Sequence, residues 1–457
     1  MKYTSKAIMA AATLATLGWA QAAVTPEEAK ALGTTLTPWG AEMAASKDGA
    51  IPAYTGGLPK DTNPPGFKPG TGKWPNPFPQ DKPLYVITAK NMDEYADKLT
   101  ETNKALLKRF PDYKLEVYPT RRSVSMPEYV KQGTIKNATR AKILDKDGTQ
   151  VDGIYGGLPF PIPKNGQEAM WNWVLRYEGL ASNGQPKTFL VDSSGRNQEI
   201  AWYSTDNQFP TYDPKMTEAE WKSRGSQTYN IWNDYKAPSR LSGELNLYIN
   251  NTSGDNRGWI YSPGTRRVRI APDLAYDTPC PGMSGVVTFD DIRLFDGKLD
   301  RFNWKLIGKK EMLIPYNDYK LIYETTSDKA MTPNVLNPEV VRWELHRVWV
   351  VEGTVKPGVR HIYSKKVMYM DEDMGGGASD IYDQSGKLYR GGFETTTPAW
   401  DDEVPLSYGT WQYDLTANNY VLVSHAGDPG ARGNVQRKGA YPANYFTPER
   451  LSASGVR

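Results

Sequence analysis

Hydrophobic and polar residues alternate with a period of two along most of the chain from residue 240 onward. Residues 241–249 place an apolar residue or glycine at every second position, and residues 341–353 alternate Trp, Leu and Val with Glu and His. Further alternating segments flank polar turns at residues 383–386 and 416–419. Successive side chains of a strand point to opposite faces of its sheet, and closely spaced strands with short turns favour antiparallel pairing. The sequence therefore predicts a mainly β fold, with one large, curved antiparallel sheet and a few helices.

Residues 256–279, NRGWIYSPGTRRVRIAPDLAYDTP, contain the hairpin on which the functional interpretation depends. Pro263 and Gly264 occupy the second and third positions of a four-residue turn, which predicts a type II turn with Gly264 at positive φ. Folding about this turn gives one apolar and one cationic face. The apolar face carries Trp259, Val268 and Ile270, and the cationic face carries Ile260, Arg267 and Arg269.

Four helices, two of them short, interrupt the strand pattern. Residues 88–110 and 165–178 show the three-to-four-residue apolar spacing of a helix, and Asn165 is a suitable N-cap for the second. Thr217 begins a capping box, and Thr25 precedes a proline and two acidic residues, so each predicts the start of a short helix.

The first residues are predicted to be an export signal and not part of the folded protein. Residues 1–22 combine two lysines, an apolar stretch of signal-peptide length and a final Ala-Gln-Ala, so we expect cleavage after Ala22. The apolar stretch is too short for a permanent membrane span. We divide the mature chain into an N-terminal helix with a Pro/Gly-rich extended arm, residues 23–85, and the sheet domain, residues 86–457.

The composition argues against a nucleic-acid partner and favours a ligand that contacts aromatic side chains. The chain has 55 Lys and Arg against 52 Asp and Glu, and removing the two signal-peptide lysines leaves 53, which argues against a nucleic-acid partner. The single cysteine, Cys280, cannot form an intramolecular disulfide. The chain has 14 Trp and 28 Tyr but only 11 Phe, a balance that suits an apolar surface with polar handles, such as a ligand groove or a sugar platform.

No catalytic or metal motif is evident. The three histidines, His346, His361 and His425, lack the spacing of a zinc site, and no glycine-rich phosphate loop joins a strand to a helix. We therefore expect no cofactor, no metal and no enzymatic activity. Two carboxylates brought together only in the fold would suffice for a glycosidase, so an exported glycan-binding or glycan-cleaving protein remains an alternative.

The acidic run 371–373, Asp-Glu-Asp, precedes three glycines. We interpret it as a solvated strand end, because charge runs usually face water. The alternatives are a cation site or a docking patch for a basic partner.

Two segments identify a family resemblance: WIYSPGTRRVRIAPDLAYDTP and HRVWVVEGTVKPGVRHIYSKKVMYMDED. With the length and export signal, they resemble the proteobacterial family called domain of unknown function 1329 (DUF1329), often labelled outer-membrane lipoprotein-sorting-like. The resemblance covers most of the mature chain. It implies a fold like that of the lipoprotein carriers LolA and LolB, an incomplete antiparallel β-barrel wrapped around helices with an apolar cavity.

The resemblance also implies a periplasmic location, with a resistance-nodulation-division-type inner-membrane exporter and an outer-membrane protein as expected partners. No reaction is established for the family. The present chain is much longer than a true lipoprotein carrier, so a lipoprotein cargo does not follow.

These observations together favour a periplasmic carrier or chaperone for a hydrophobic or amphipathic, lipid-like molecule. A structural adaptor of an export complex is a further alternative. Inward-type aromatic residues are the predicted cavity lining, and the hairpin arginines are predicted to contact an anionic head group or an acidic partner, unless they are merely solvated. The predicted lining residues are Trp259, Tyr261, Trp304, Trp343 and Trp349, and the predicted head-group or partner contacts are Arg266, Arg267 and Arg269.

Overall fold

The computed structural model describes residues 24–252, 254, 256–271, 276–280, 283–405 and 407–455. The predicted signal peptide and its cleavage point lie outside these residues. Seventeen strands belong to one sheet, and two short strands form a separate hairpin. The strands are β1 (Tyr85–Ile87), β2 (Leu115–Val117), β3 (Lys142–Ile143), β4 (Val151–Asp152), β5 (Ala181–Gln185), β6 (Lys187–Val191), β7 (Asn197–Gln208), β8 (Gln227–Ala237), β9 (Leu245–Asn251), β10 (Arg257–Ser262), β11 (Arg267–Ile270), β12 (Phe302–Pro315), β13 (Trp343–Val355), β14 (Lys365–Asp371), β15 (Gly377–Tyr382), β16 (Leu388–Thr396), β17 (Ser407–Asp414), β18 (Asn419–His425) and β19 (Arg432–Gln436).

Short helices connect or cover these strands. Among the described residues, no helix is long and apolar enough to cross a bilayer. The α-helices are α1 (Pro26–Ala29), α2 (Glu101–Arg109), α3 (Glu128–Ala138), α4 (Gly166–Val174), α5 (Glu218–Ser223), α6 (Ser327–Ala330) and α7 (Pro448–Gly455).

The large sheet is antiparallel along its main path. Its order is β12, β13, β14, β15, β16, β17, β18, β6, β7, β8, β9, β10 and β11, with each strand antiparallel to the next. β5 shares an edge of β7 with β6 and pairs on its other side with β19. β1 and β2 join β13 through one parallel bridge. Within the described residues β11 and β12 do not pair, so the sheet stays open, and the predicted incomplete antiparallel sheet with few helices is confirmed.

The Pro/Gly-rich arm packs on the sheet. Trp39, Ile51 and Trp74 are each at most 2% exposed and belong to the same hydrophobic cluster as Trp343 of β13. The Trp74 indole Nε1 donates a hydrogen bond of 2.9 Å to an Asp401 carboxylate oxygen. The arm therefore fills part of the inner face of the sheet, whereas the proposed division at residue 85 stays a prediction.

The predicted helix at residues 88–110 is wrong as a single element. The structure has a 3₁₀ turn at Met92–Tyr95 and then α2, whose N-cap is Thr100 in an extended conformation. The Asp380 carboxylate of β15 accepts hydrogen bonds from the backbone N–H groups of Glu101 and Thr102, both at 2.9 Å. A carboxylate on a distant strand thus stabilises a new helix start, which apolar spacing alone does not reveal.

The other predicted helix starts are confirmed. Thr25 and Thr217 each form a capping box, and the Asn165 side chain accepts a hydrogen bond from the backbone N–H of Glu168. The helix after Asn165 is shorter than predicted, since it ends at Val174. The sequence interpretation did not include α3, α6 or α7.

The hairpin has the predicted faces but a different turn. Arg266, not Gly264, is the residue at positive φ, with φ of 52°. A two-residue type II turn would place Trp259 opposite Val268. The observed loop is two residues longer, so Trp259 lies opposite Ile270. A shift of two residues preserves the face of every side chain, because strand side chains alternate with a period of two.

Candidate ligand-binding cavity

A cavity of ≈ 170 Å³ lies between β7–β9 on one side and β16–β18 on the other, with residues 283–293 as a third wall. Alternate positions of β7 and β8 face it, and the register places Tyr203 opposite Tyr235 and Ile231 opposite Tyr248 of β9. Its lining is aromatic and aliphatic over most of the surface, with uncharged polar side chains interspersed and a cluster of charged side chains at what we call the polar end. The apolar lining residues are Tyr203, Tyr229, Ile231, Tyr235, Tyr248, Cys280, Met283, Val287, Phe289, Ile292 and Val423.

Buried ion pairs hold the third wall in place. The Lys366 ammonium, 0% exposed, lies 2.7 Å from an Asp291 carboxylate oxygen and 3.2 Å from one of Asp290. His361 Nε2 lies 2.9 Å from the same Asp290 oxygen. Burial alone would raise the pKa of Asp290, but Lys366, His361 and Thr288 together outweigh it and hold this pKa below its ordinary value. These contacts fix the start of the segment that carries Phe289 and Ile292 into the cavity.

The polar end of the cavity contains Arg293 and two glutamates. Arg293 Nη2 lies 2.6 Å from a Glu178 carboxylate oxygen, and the guanidinium lies over the Tyr229 ring at 5.1 Å. Arg176 joins Glu178 to Glu394, at 3.1 Å and 2.8 Å. Nε and Nη1 of Arg293 are buried and donate no hydrogen bond within the described part of the chain. The guanidinium at this end of the cavity therefore has two buried nitrogen atoms without a hydrogen-bond acceptor among the described residues.

A further acidic group borders this polar end. Asp296 lies 3.7 Å from Arg293 Nη1, and burial raises the pKa of Asp296 to about 6. Above that pH the Asp296 carboxylate places its negative charge beside the Arg293 guanidinium.

Three of the predicted lining residues are packed elsewhere. Trp304 and Trp343 are 8% and 1% exposed, and Trp349 is half-buried beneath the Lys309 ammonium, which lies 4.8 Å from its ring. Trp304 Nε1 donates to the backbone carbonyl of Leu299 at 3.0 Å. None of the three is among the residues that line the cavity.

The two hairpin aromatics also lie apart from the cavity. Trp259 is half-buried and Tyr261 is buried, both in a cluster beneath α7, and the Tyr261 hydroxyl donates to the backbone carbonyl of Gly455. Arg266, Arg267 and Arg269 are exposed, and the last two line a shallow surface depression. Ligand or partner contact at all eight residues stays a prediction, and the structure does not bring them together with the cavity.

The cavity lining was missed for a specific reason. Tyr229, Ile231 and Tyr235 of β8 occupy alternating positions in QTYNIWNDYKA, a pattern that was visible in the sequence. The same strand carries Trp232 on its opposite face, where it is 5% exposed in the cluster beneath α7. The cavity face of β8 is the more apolar of the two, but an apolar strand face packs against core as often as it borders a void, so alternation alone does not identify the cavity. Arg293 carries no local signal, because its position depends on the buried ion pairs of residues 288–291.

A second group of charged side chains lies at the end of β14. Asp371, Glu372 and Asp373 are 0%, 2% and 1% exposed, so the prediction of a solvated strand end is wrong. Arg122 forms a bidentate pair with Asp373, at 2.7 Å and 2.9 Å, and Lys309 lies 2.7 Å from Glu372. Basic side chains from distant segments neutralise the acidic run 371–373, and this pairing makes its burial possible.

Comparisons with known proteins agree with the resemblance in the sequence. The pattern of the family described as protein of unknown function (DUF1329) matches residues 86–452. An uncharacterized protein of Pseudomonas aeruginosa is 36% identical over 452 residues, which are 95% of each chain.

Three solved structures are similar in part. An outer membrane lipoprotein-sorting protein domain from Vibrio parahaemolyticus has 13% identity and a TM-score of 0.43, covering 62% of this chain and 97% of that chain. A DUF1329 family protein from Desulfovibrio piger has 14% identity and a TM-score of 0.39, covering 61% and 93%. A LolA superfamily protein from Nitrosomonas europaea has 11% identity and a TM-score of 0.35, covering 61% and 94%. On the match across residues 86–452 and the extended identity to the Pseudomonas protein, the chain belongs to the DUF1329 family.

Proposed function

We propose that this protein is a periplasmic carrier for an amphipathic molecule, whose apolar part enters the tyrosine-lined cavity while its anionic or polar head contacts Arg293. The observation that supports this proposal is the void itself, ≈ 170 Å³ within a half-closed sheet, apolar along its walls and charged at one end. The proposed role is binding and release rather than catalysis. The proposed partners are an inner-membrane exporter of the resistance-nodulation-division type and an outer-membrane protein.

The size of the cavity limits what can enter. A dry cavity of about 150 Å³ in another protein accepts a benzene-sized ligand, so this void holds roughly six carbons of a cargo. Burying six methylenes at about 0.8 kcal/mol each stabilises a complex by about 5 kcal/mol, which corresponds to a Kd of about 0.2 mM before the entropy cost of association. The apolar contribution alone is therefore weak. The charge-assisted hydrogen bonds of Arg293 supply the further affinity and select an anionic head.

A glycan-cleaving role is not favoured by the geometry. A glycosidase needs two carboxyl groups that face one sugar, with room for it between them. The two carboxylates of the cavity, Glu178 and Glu394, are instead joined by Arg176. The tyrosine walls lead to an ion-paired end, not to a cleft between two acids.

The proposal is tested on protein purified from the periplasm. Native mass spectrometry and organic extraction are expected to show a bound amphiphile, and an environment-sensitive apolar dye is expected to bind once that amphiphile is removed. Val423→Phe adds bulk to the cavity wall and is expected to weaken dye binding at least about tenfold, a change of about 1.4 kcal/mol. Val86→Phe is the matched control, because Val86 is 38% exposed on β1 and absent from the cavity lining.

Two outcomes contradict the proposal. One is wild-type protein that carries no amphiphile and binds no apolar dye. The other is dye binding that is weakened equally by Val86→Phe and Val423→Phe. Capture of an exporter by such ligand-free protein would favour the adaptor alternative.

A further inference from the structure

Three buried side chains from two strands and the loop that follows meet at one point beneath the arm. His346 lies on β13, Asp371 ends β14, and Asp373 lies in the tight connection to β15; each is at most 1% exposed. One ligand atom of each, a ring nitrogen or a carboxylate oxygen, lies within 4.8 Å of the other two. Imidazole and carboxylate are ligands for divalent ions of the zinc, manganese and iron class.

One carboxylate oxygen in this group lacks a partner. Asp371 Oδ1 is buried and accepts no hydrogen bond within the described residues. His346 Nδ1 lies 3.6 Å from it, which is too long for a hydrogen bond. Two ligand atoms about 2.1 Å from one ion in tetrahedral geometry are roughly 3.4 Å apart. The spacing therefore suits two ligands that share an ion better than a donor and an acceptor.

The neighbours orient His346 for this role. Its Nε2 lies 3.1 Å from a Glu344 carboxylate oxygen, and the Tyr316 ring stacks on the imidazole with centroids 3.9 Å apart. When the ring proton is on Nε2 and this N–H donates a hydrogen bond to Glu344, the lone pair of Nδ1 faces Asp371. A histidine that donates one ring N–H to a carboxylate and binds a metal through the other nitrogen is a recurring arrangement.

The second oxygen of Asp371 is held independently. Asp371 Oδ2 accepts hydrogen bonds from the Tyr316 hydroxyl at 3.0 Å and from the backbone N–H of Gly375 at 3.1 Å. A Cβ at Gly375 would lie 2.8 Å from the Tyr316 hydroxyl and 2.9 Å from this oxygen. Glycine at this position thus allows the loop to close on Asp371, and the carboxylate is fixed with Oδ1 turned inward.

The Asp373 carboxylate also forms an ion pair with an arginine. Both of its oxygens accept from Arg122, at 2.7 Å and 2.9 Å. A carboxylate oxygen has a second lone pair, so this pair still leaves Asp373 able to contact an ion. Because Arg122 belongs to the segment between β2 and α3, the group connects that segment to β13 and β14.

We propose that His346, Asp371 and Asp373 bind one divalent transition-metal ion, which fixes β13, the β14–β15 connection and the Arg122 segment to one another. The site is separate from the cavity and does not depend on the proposed carrier function. The competing occupant of the same space is a proton that makes His346 an imidazolium between Glu344 and Asp371.

The test uses the full mature chain after treatment with a chelator. Titration with Co²⁺ alone is expected to give one equivalent of tightly bound ion with visible absorption bands, displaced by Zn²⁺, and either ion is expected to raise the melting temperature. His346→Gln and Asp371→Asn are each expected to weaken Co²⁺ binding by more than about 100-fold, beyond the loss typical of an outer-shell partner. His361→Gln is the matched control, a buried histidine paired with Asp290 outside this group, and it is expected to bind as the wild type does.

The wild-type titration decides whether the site exists, and the variants decide where it is. Chelated wild-type protein that takes up neither Co²⁺ nor Zn²⁺ stoichiometrically overturns the proposal in favour of the imidazolium. Unchanged Co²⁺ binding in Asp371→Asn, an isosteric variant that retains the shape of the site, also overturns it. If His346→Gln does not fold, Asp371→Asn and the wild type together still give the answer.

Discussion

Two halves of one sheet differ in what covers their inner face. In the packed half, β12–β15, the arm and α2 bring Trp39, Ile51 and Leu106 against Trp343 and its neighbours, all in one hydrophobic cluster. In the cavity half, β7–β9, the segment at residues 283–293 leaves a void of ≈ 170 Å³. The strands of both halves carry inward aromatic residues. An apolar strand face is thus core or binding site according to the segments that pack on it, not according to its own pattern.

The two halves also differ in how their buried charged side chains are paired. In the packed half, Asp373 and Glu372 are closed in by Arg122, Lys309 and Arg347. In the cavity half, one guanidinium retains two N–H groups without a hydrogen-bond acceptor among the described residues. The first arrangement satisfies both of these carboxylates with a partner, and the second leaves donor atoms of a buried guanidinium without one among the described residues.

The largest expected effect is in the packed half. Trp343→Ala removes a residue that is 1% exposed and packs edge-on against Phe393, with ring centroids 5.3 Å apart. We expect a loss of about 4–5 kcal/mol in the free energy of unfolding, with dye binding unchanged in the protein that remains folded. Tyr248→Ala, at a half-buried residue beside the void, is expected to cost less than about 2 kcal/mol because fewer contacts are lost, while it alters dye binding. Chemical denaturation measures both, and equal losses would contradict the comparison.

A comparison of two arginines is expected to give the next largest difference. Arg122→Gln leaves Asp373 buried without its bidentate partner, and we expect a loss of about 3–4 kcal/mol in the free energy of unfolding. Arg269→Gln, on the exposed face of the hairpin, is expected to change that free energy by no more than about 0.5 kcal/mol. Denaturation at low and high salt separates the two further, since exposed charges are screened more strongly. A small effect of Arg122→Gln would show that Lys309 and Arg347 suffice for the acidic run.

Two valines on one face of β18 test the void directly. Val421 is 0% exposed and does not line the cavity, whereas Val423 lines it. Val421→Phe overfills packed space and is expected to lower the free energy of unfolding by about 1–3 kcal/mol. Val423→Phe is expected to cost less than about 0.5 kcal/mol, because the void accepts the ring. Thermal unfolding of the two variants measures the difference, and similar losses would indicate that the space at Val423 is already filled.

The last prediction is a pH dependence in the packed half, whose expected effect is small for each pH unit and accumulates over several. Burial raises the pKa of Asp318 to about 8. The folded state therefore holds this proton more tightly than the unfolded state, and the stabilising contribution, complete below about pH 4, is lost as pH rises toward 8. The slope is at most about 1.4 kcal/mol per pH unit for one group. Asp318→Asn is expected to flatten the dependence of unfolding free energy on pH between 5 and 8, and an unchanged slope would assign the effect to another group.

Local chemistry in the sequence was enough to predict several elements. The capping residues Thr25, Asn165 and Thr217 each begin a helix, because a side-chain oxygen satisfies a backbone N–H a few residues away. The faces of the hairpin after Trp259 are right even though its turn is not, since the error in register is two residues. The family resemblance in two strand segments is likewise confirmed.

Interactions between distant residues could not be predicted in the same way. Asp380 divides the helix predicted at residues 88–110, and Arg122 and Lys309 bury an acidic run that local reasoning placed in water. The cavity borders aromatic residues of β7, β8 and β9 that the sequence analysis did not single out, and ligand contact at the predicted aromatic residues stays a prediction. Each of these outcomes depends on a partner 60 or more residues away along the chain, whose position only the folded sheet supplies.

The sequence by itself determined the alternation of the strands, the helix caps and the family, because each is set by residues close together or by a specific local pattern. The tertiary structure alone decided which apolar face is core and which borders a void, and which charges are buried. The physical reason is that burial and electrostatic compensation are properties of whatever packs against a residue, and on a large sheet those neighbours come from distant parts of the chain.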